Sequence, residues 1–122
     1  MKKTLLFVLA LAVIPVGVDA QVTPSASCAD INFASSLEDL HSCAEQGNVD
    51  AQNLLGVMYS GSGSRVPEDD VEAVRLYRLA AGQGDATGQH NLGVMYSNGA
   101  GVPEDDVEAV RWFRLAAEQR HG

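Results

Sequence analysis

The sequence predicts an all-α fold, an αα-hairpin solenoid in which two full repeats follow an N-terminal half-repeat. Three observations lead to this prediction. Two consecutive segments are copies of one unit, apolar residues recur at helical spacing in each copy, and a Gly-rich turn divides each copy into two helical stretches. A single unit of this size cannot bury its own apolar face, so we expect the units to stack on one another.

The two repeat units are residues 47–83 and 84–122, and the aligned copies within them are residues 47–83 and 84–119. The runs Leu-Gly-Val-Met-Tyr-Ser and Val-Pro-Glu-Asp-Asp-Val-Glu-Ala-Val-Arg, which start at residues 55 and 66, both recur in the second copy. About two-thirds of the aligned positions are identical, and the period is typical of solenoid proteins. The copies differ in length by one residue within the Gly-rich segment, which indicates a surface loop.

The first helix of each unit is predicted from apolar spacing. Ala51, Leu55 and Met58 fall at i, i+4 and i+7, which is the period of one face of a helix. Glycine tolerates the left-handed backbone that commonly ends a helix. The glycines that we expect to end the first helices are Gly61, Gly63, Gly99 and Gly101.

Capping boxes predict where the other helices begin, because a Ser or Asp followed three residues later by Glu satisfies free backbone N–H groups. Residues 69–72 and 105–108 fit this pattern at the second helix of each copy, and residues 35–38 fit it earlier in the chain. The earlier match belongs to residues 21–46. The Ala-Glu-Gln-Gly run at residues 44–47 is similar to the end of a second helix. We interpret residues 21–46 as the half-repeat that caps the stack.

Residues 1–20 are predicted to be a signal peptide. Lys2 and Lys3 precede a short apolar run, and compact residues precede the expected cleavage after Ala20. The run is too short to cross a bilayer as a helix. We therefore expect a periplasmic or secreted protein with no membrane insertion after cleavage. Acylation at Cys28 is the less favoured alternative, since the residues before it lack the usual branched side chain.

The charge of the chain excludes several classes of function. The sequence has 8 basic and 16 acidic residues, and without the signal peptide 6 basic and 15 acidic residues remain, a net charge of −9. Nucleic-acid binding requires clustered Lys and Arg, so we expect no nucleic-acid partner. Both lysines lie in the signal peptide, which excludes lysine-dependent catalysis by the processed chain.

Cys28 and Cys43 are predicted to form a disulfide, because exported proteins fold in an oxidising compartment. A continuous helix between them would separate their Cα atoms by about 22 Å, whereas a disulfide requires about 4.4–6.8 Å. The chain must therefore reverse, with residues 28–34 folding over a helix that begins near Ser35. Two buried free thiols are the alternative.

The repeat pattern resembles a known family. The residues that carry the resemblance are Leu92, Gly93, Tyr96, Gly99, Gly101, Val102, Asp105, Ala109, Trp112, Phe113, Ala116 and Ala117. Their spacing is similar to that of the Sel1-like repeat family, relatives of the tetratricopeptide repeats, and the match covers most of residues 44–119. The sequence departs from the family at Gly88, where Ala is usual, and at Leu76, where Trp is usual. The resemblance implies a right-handed superhelix that acts as an adaptor or scaffold.

The resemblance also implies that the first helices line a concave face. Their non-core positions recur at i, i+3, i+7 and i+10, so they share one side of each helix. Such a surface suits an extended peptide or a partner helix, and we predict a protein partner there, with a merely solvated face as the alternative. We call these positions the first-helix stripe: Asp50, Asn53, Val57, Ser60, Thr87, His90, Val94 and Ser97.

No cofactor, metal or catalytic residue is predicted. The acidic clusters fit helix starts, where the helix dipole stabilises negative charge, and the histidines lack the spacing of zinc ligands. A cell-envelope hydrolase of the β-lactamase-like type is the alternative function, since some cysteine-rich relatives of the family are associated with β-lactam binding. The recurring arginines are expected to pair with acidic residues near the turns, and an anion site is the alternative: Arg75, Arg78, Arg111 and Arg114.

The last predicted helix carries apolar residues that the repeat pattern leaves incompletely covered. Trp112, Phe113 and Leu115 lie in this helix, and an exposed apolar end of a solenoid favours association. We therefore predict weak self-association through this end of the protein.

Overall fold

The structure is all-α throughout the part of the chain that it describes. A computed structural model describes residues 27–62 and 65–121, and within those residues there are five α-helices and no strand. The predicted signal peptide, residues 1–20, lies outside them. The helices are α1 (Leu37–Glu45), α2 (Val49–Val57), α3 (Asp70–Gly82), α4 (Ala86–Asn98) and α5 (Asp106–His121).

The helices pair as the sequence predicts. Helices α2 and α3 pack together as one hairpin, α4 and α5 pack as a second, and α1 packs against α2 as a half-repeat. A 3₁₀ turn at Cys28–Asp30 precedes α1, and a π-helical turn at Met58–Ser62 follows α2. This arrangement confirms the αα-hairpin solenoid.

The second helix of each hairpin begins at an aspartate that caps it. The Asp69 carboxylate accepts a hydrogen bond from the backbone N–H of Glu72 (3.1 Å), and the Asp105 carboxylate accepts one from the N–H of Glu108 (3.0 Å). These bonds satisfy N–H groups that have no partner within the helix. They confirm the predicted helix starts at residues 69–72 and 105–108.

Helix α1 begins at Leu37, one residue later than a capping box at residues 35–38 implies. Its cap is Ser36, whose hydroxyl accepts a hydrogen bond from the N–H of Asp39 (3.0 Å). The Ser35 hydroxyl accepts a hydrogen bond from the N–H of Asn32 (2.9 Å) and so belongs to the preceding turn. The predicted capping box at 35–38 is therefore wrong by one residue, because the two adjacent serines have different partners.

Glycine ends the first helix of each hairpin. Gly99, which follows α4, has a φ of 64°, and Gly61, in the turn after α2, has a φ of 95°. These left-handed conformations favour glycine because it has no Cβ. The prediction is confirmed at both positions. Gly63 lies outside the described residues.

A disulfide joins the N-terminal segment to α1. Cys28 and Cys43 are bonded, with their Cα atoms 5.6 Å apart, so the predicted pairing and the reversal of the chain are confirmed. The Asn48 side chain donates a hydrogen bond to the carbonyl of Cys28 (3.1 Å). Arg65, in the loop before α3, donates to the carbonyls of Phe33 and Ser35. The segment before α1 is therefore held against the first full repeat.

The core consists of two apolar clusters, one on each side of the first hairpin. The first cluster contains Leu40, Cys43, Ala44, Ala51, Leu55, Met58 and Leu76. The second cluster contains Ala73, Val74, Tyr77, Ala81, Leu92 and Met95. Trp112 is half-buried against the second cluster. Of the three residues predicted to be incompletely covered, Leu115 is therefore the most exposed. Val107 and Val110, which were not among the predicted residues, are more exposed than Leu115.

Successive units meet at two joints that use equivalent contacts. At the first joint α2 packs against α1, and at the second joint α4 packs against α3. A tyrosine hydroxyl contacts a polar side chain of the preceding helix at each joint: Tyr59 contacts His41 Nε2 (3.2 Å), and Tyr96 accepts from Arg78 Nη2 (2.7 Å).

Buried glutamines make the second shared contact of the joints. The Gln52 side-chain amide donates to the carbonyl of Ala44 (3.0 Å), and that of Gln89 donates to the carbonyl of Ala81 (3.4 Å). A buried polar group costs free energy unless it is hydrogen-bonded, so these bonds restrict how each first helix can sit on the preceding unit.

No helix within the described residues is long and apolar enough to cross a membrane.

Candidate functional site

The first-helix stripe is not uniformly available to a partner. Asp50, Thr87 and His90 are exposed to solvent. The remaining members are half-buried: Asn53, Val57, Ser60, Val94 and Ser97. Three of these half-buried residues, described next, have contacts that stabilise the fold.

Asn53 links the two full repeats. Its side-chain amide donates a hydrogen bond to Asp85 Oδ2 (2.8 Å), and the same oxygen accepts the N–H of Gly88 (2.8 Å) at the start of α4. Asn53 Oδ1 is buried and has no hydrogen-bond partner within the described residues. Asn53 therefore helps to position α4, and its side chain is not free to reorient toward a ligand.

Val57 and Ser60 support the core near the end of α2. Val57 packs against the second apolar cluster, and the Ser60 hydroxyl donates to the carbonyl of Val57 (2.9 Å). Burial raises the pKa of the Tyr77 phenol, while a hydrogen bond with Ser60 acts in the opposite direction. The stripe is therefore structural around these two residues.

A groove lies beside His90 at the other end of the stripe. It has a volume of about 490 Å³ and is lined by His90, Phe113, Ala116, Ala117 and Arg120. The imidazole ring of His90 lies 5.3 Å from the ring of Phe113, measured between centroids. The groove thus combines an apolar floor with an imidazole and a guanidinium, which suits an apolar side chain next to a carboxylate.

Sequence reasoning missed the contribution of α5 to this groove, because the stripe was drawn on first helices alone. Phe113 occupies the repeat position of Tyr77, which is 3% exposed. Phe113 is only half-buried. The available signal was this repeat equivalence, which places an aromatic ring of the second helix next to the first helix of its own unit.

Two of the four recurring arginines pair with carboxylates. Arg75 pairs with Glu72 (2.7 Å) and Glu45 (3.1 Å), and the hydrogen bond with Glu72 is the largest cause that raises the pKa of Arg75. Arg111 pairs with Glu108 (2.5 Å), and its guanidinium lies over the Trp112 ring, 4.7 Å from the ring centroid.

Arg78 and Arg114 depart from the predicted pairing. Arg78 binds the Tyr96 hydroxyl rather than a carboxylate. No hydrogen bond or ion pair joins Arg114 to another side chain of the described region, and Arg114 lies on the outer side of α5 with Val110 and Leu115. Acidic pairing is thus confirmed for two of the four arginines.

Two histidines, His41 and His90, contact aromatic side chains. His41 contacts the Tyr59 hydroxyl, and His90 lies against Phe113. The hydrogen bonds of the described residues join neither imidazole to a serine. Within residues 27–62 and 65–121, no group of three or more His, Cys, Asp or Glu side chains is arranged to hold a metal ion.

The two repeats match a known family model, described as Sel1 repeat, at residues 49–85 and 86–121. These bounds lie close to the units 47–83 and 84–122 drawn from internal similarity. Among curated proteins, the chain has no significant match.

Two solved structures are similar to the chain. A Sel1 repeat protein from Oxalobacter formigenes is 40% identical with a TM-score of 0.64, and the match covers 68% of this chain and 24% of that protein. The protein c5321, described as a protective antigen present in uropathogenic Escherichia coli strains and displaying an SLR fold, is 44% identical with a TM-score of 0.66. That match covers 72% of this chain and 19% of c5321. The chain therefore corresponds to about a quarter or less of either protein's length.

Proposed function

Because this chain belongs to the Sel1 repeat family, whose members are generally protein–protein interaction modules, we propose that it is an adaptor that binds another protein through the exposed end of the first-helix stripe. The observation that supports this proposal is the groove formed by His90, Phe113 and Arg120. It adjoins the stripe where Thr87 and His90 are exposed.

The chemistry of the groove defines the partner segment that it suits. An apolar side chain would contact Phe113 and Ala116, and a neighbouring carboxylate would pair with Arg120. Asp50 is exposed at the start of α2 and favours a positive charge on the same partner. Because two repeats offer a small binding surface, we expect modest affinity rather than very tight binding.

We place this adaptor in the periplasm or outside the cell. The proposal rests on the predicted signal peptide at residues 1–20 and is supported by the disulfide between Cys28 and Cys43, since structural disulfides persist in oxidising compartments. A fusion of residues 1–26 to a reporter that is active only after export tests the signal peptide. A reporter that stays inactive, although the fusion is made in full, contradicts the proposed location.

The binding surface is tested by affinity capture from a cell-envelope extract, followed by calorimetry with the purified captured protein. Wild-type chain is compared with Thr87→Arg and His90→Glu, which alter exposed positions of the stripe. Leu79→Arg is the matched control, because Leu79 is also exposed but lies on α3. Circular dichroism checks that each variant folds.

We expect each stripe variant to weaken binding of the captured protein at least tenfold and the control to leave it unchanged. Binding that is insensitive to both stripe variants contradicts the proposed surface. Hydrolysis of a chromogenic β-lactam by the same preparation, abolished by one Ser or His substitution, would replace the adaptor with the hydrolase alternative.

A further inference from the structure

In this fold the first helix of each unit covers the outer side of the second helix that precedes it, as both joints show. At the second joint α4 buries Val74 and Ala81 of α3, which are 2% and 4% exposed. Gly88 of α4 lies against the end of α3, where a Cβ on this glycine would be 2.7 Å from Ala80 Cβ and 2.8 Å from the backbone nitrogen of Ala81. The helices therefore approach closely because position 88 has no side chain.

The equivalent positions of α5 are not covered by any other described element. Val110 occupies the repeat position of Val74 and is 46% exposed. Ala117 and Arg114, at the positions of Ala81 and Arg78, are also exposed. We call Val107, Val110, Arg114 and Ala117 the α5 outer face; Val107 is 81% exposed.

A groove runs along this face. It has a volume of about 740 Å³ and is lined by Asp106, Val107, Val110, Arg111, Arg114, Leu115 and Glu118. Val110 matches Val74 in the apolar floor that α3 offers to α4. Val107 extends this floor at the position of Val71, which is 68% exposed on α3. Arg114 adds a hydrogen-bond donor at the position from which Arg78 binds the Tyr96 hydroxyl.

We propose that the α5 outer face binds an amphipathic helix of a partner protein that has the chemistry of α2 and α4, in the antiparallel orientation that α4 adopts on α3. The two helices that occupy equivalent joints define this chemistry. Each begins with an Asn or Asp cap and then carries a small residue at +3, Gln at +4, Leu at +7, Met at +10 and Tyr at +11. In α4 these residues are Asp85, Gly88, Gln89, Leu92, Met95 and Tyr96.

Each of these positions has a role that the joints demonstrate. The small residue permits close approach to the end of the preceding helix, and the glutamine donates to a carbonyl there. Leu92 and Met95 belong to the apolar cluster of the second joint. The tyrosine hydroxyl accepts from the arginine of the preceding helix. On α5 the corresponding groups are the backbone of Ala117, the side chain of Val110 and the guanidinium of Arg114.

A second intact copy of this chain does not supply such a helix from the described residues. Helix α2 lies between α1 and α3, and α4 lies between α3 and α5. The apolar sides of both helices are therefore already covered. The proposed occupant is therefore a helix of another polypeptide. The α5 outer face shares Ala117 with the groove of the proposed adaptor site but contains none of the exposed stripe residues.

A synthetic peptide of residues 84–101, which contains α4, is the probe. A side-chain bridge between positions 87 and 91 holds it helical; Thr87 is exposed and Asn91 half-buried when α4 is in place, so the bridge avoids the joint residues. Titration into ¹⁵N-labelled full-length protein is followed by amide chemical shifts. We expect saturable shifts at residues 107–118 and smaller changes at residues 50–60.

Two variants of the peptide and two of the protein make the test specific. Val110→Glu in the protein and Gly88→Leu in the peptide should each weaken binding at least tenfold. Leu79→Glu is the matched protein control, because Leu79 is 39% exposed and lies outside the α5 outer face. Arg114→Ala in the protein and Tyr96→Phe in the peptide should show coupling in a double-mutant cycle, since both remove the same hydrogen bond.

The absence of saturable shifts with the bridged peptide overturns this proposal, and so do shifts confined to Thr87 and His90. Equal binding by the Gly88→Leu peptide also overturns it, because the close approach would then be unnecessary. Sedimentation of the protein alone tests the self-association predicted from sequence. A dimer that Val110→Glu dissociates would assign the face to a second copy instead of a partner helix. Loss of adaptor binding in the His90→Glu variant leaves these outcomes unaffected, so the two proposals fail separately.

Discussion

Replacing Gly56 by alanine tests how closely α2 packs against α3. A Cβ at position 56 would lie within 2.9 Å of three ring carbons of Tyr77, which is closer than van der Waals contact. Tyr77 is 3% exposed and belongs to the second apolar cluster, so its ring cannot move aside without disturbing the core. Overpacking costs about 1–3 kcal/mol, and the overlap with three ring carbons puts this substitution in the upper part of that range, at about 2–3 kcal/mol. The helix propensity of alanine returns about 1 kcal/mol.

We therefore expect Gly56→Ala to lower the free energy of unfolding by about 1–2 kcal/mol, which corresponds to a fall in Tm of roughly 4–16 °C for a domain of this size. Thermal and urea unfolding followed by circular dichroism measure both quantities. The equivalent change in the second unit, Gly93→Ala, should cost less. Its Cβ would meet the Phe113 ring at 2.7 Å, but Phe113 is half-buried and borders an open groove, so the ring can shift.

Gly82→Ala is the control for helix propensity, because a Cβ there meets no described atom within 4 Å. It should leave stability unchanged or raise it slightly. If Gly56→Ala and Gly93→Ala destabilise the protein equally, the argument that the buried Tyr77 ring resists displacement is wrong. If Gly56→Ala is as stable as the control, the close packing of α2 on α3 is itself refuted.

Three further predictions concern the disulfide, the helix caps and pH. Reduction of the disulfide should lower the free energy of unfolding by about 3 kcal/mol, and an unchanged urea midpoint in reductant would contradict this. Asp85→Ala should cost about 1 kcal/mol more than Asp105→Ala, because Asp85 accepts a hydrogen bond from Asn53 besides capping its helix; equal losses would show that the bond between repeats adds no stability. The hydrogen bond with Arg111 lowers the pKa of Glu108 below its ordinary value of 4.5. The ionised Glu108 side chain therefore stabilises the fold above pH 4.5, and this stabilisation is lost as the pH falls through the folded-state pKa of Glu108. Because Glu108 accepts a hydrogen bond from the Trp112 indole, fluorescence of this single tryptophan should change with a midpoint below pH 4.5. Glu108→Gln should abolish that transition, and a midpoint at or above 4.5 would contradict the direction of the shift.

The repeat made most of the fold predictable, because helix starts and ends depend on local chemistry. Asp69 and Asp105 cap their helices as expected, and the glycines after α2 and α4 adopt positive φ. The start of α1 was less predictable, since Ser35 and Ser36 are equally good caps by residue type. The turn at Asn32, which recruits the Ser35 hydroxyl, decides between them.

The candidate site was harder to predict than the fold. Helical periodicity identifies positions off the main apolar stripe, but α2 is packed between α1 and α3, so several of these positions are in contact with a neighbour. Asn53 illustrates the consequence. Its spacing suggested a binding residue, whereas its side chain bonds to Asp85 across the joint. Sequence spacing cannot separate these roles, because the contact joins residues 32 positions apart.

The differences between the two copies explain why the order of units in the stack is specific. Position 51 carries alanine at the first joint, and the equivalent position 88 carries glycine at the second. A Cβ at position 88 would overlap Ala80 and the backbone of Ala81, so a helix with the alanine of α2 cannot occupy the second joint at the observed distance. A glycine at position 51 would instead leave only a gap the size of a methyl group between α2 and α1. The polar contact differs as well, since His41 occupies at the first joint the position of Arg78 at the second. Nearly identical units are therefore not interchangeable, and a helix that binds the α5 outer face must match the joint of α4 more closely than that of α2, because Arg114 and Ala117 reproduce Arg78 and Ala81.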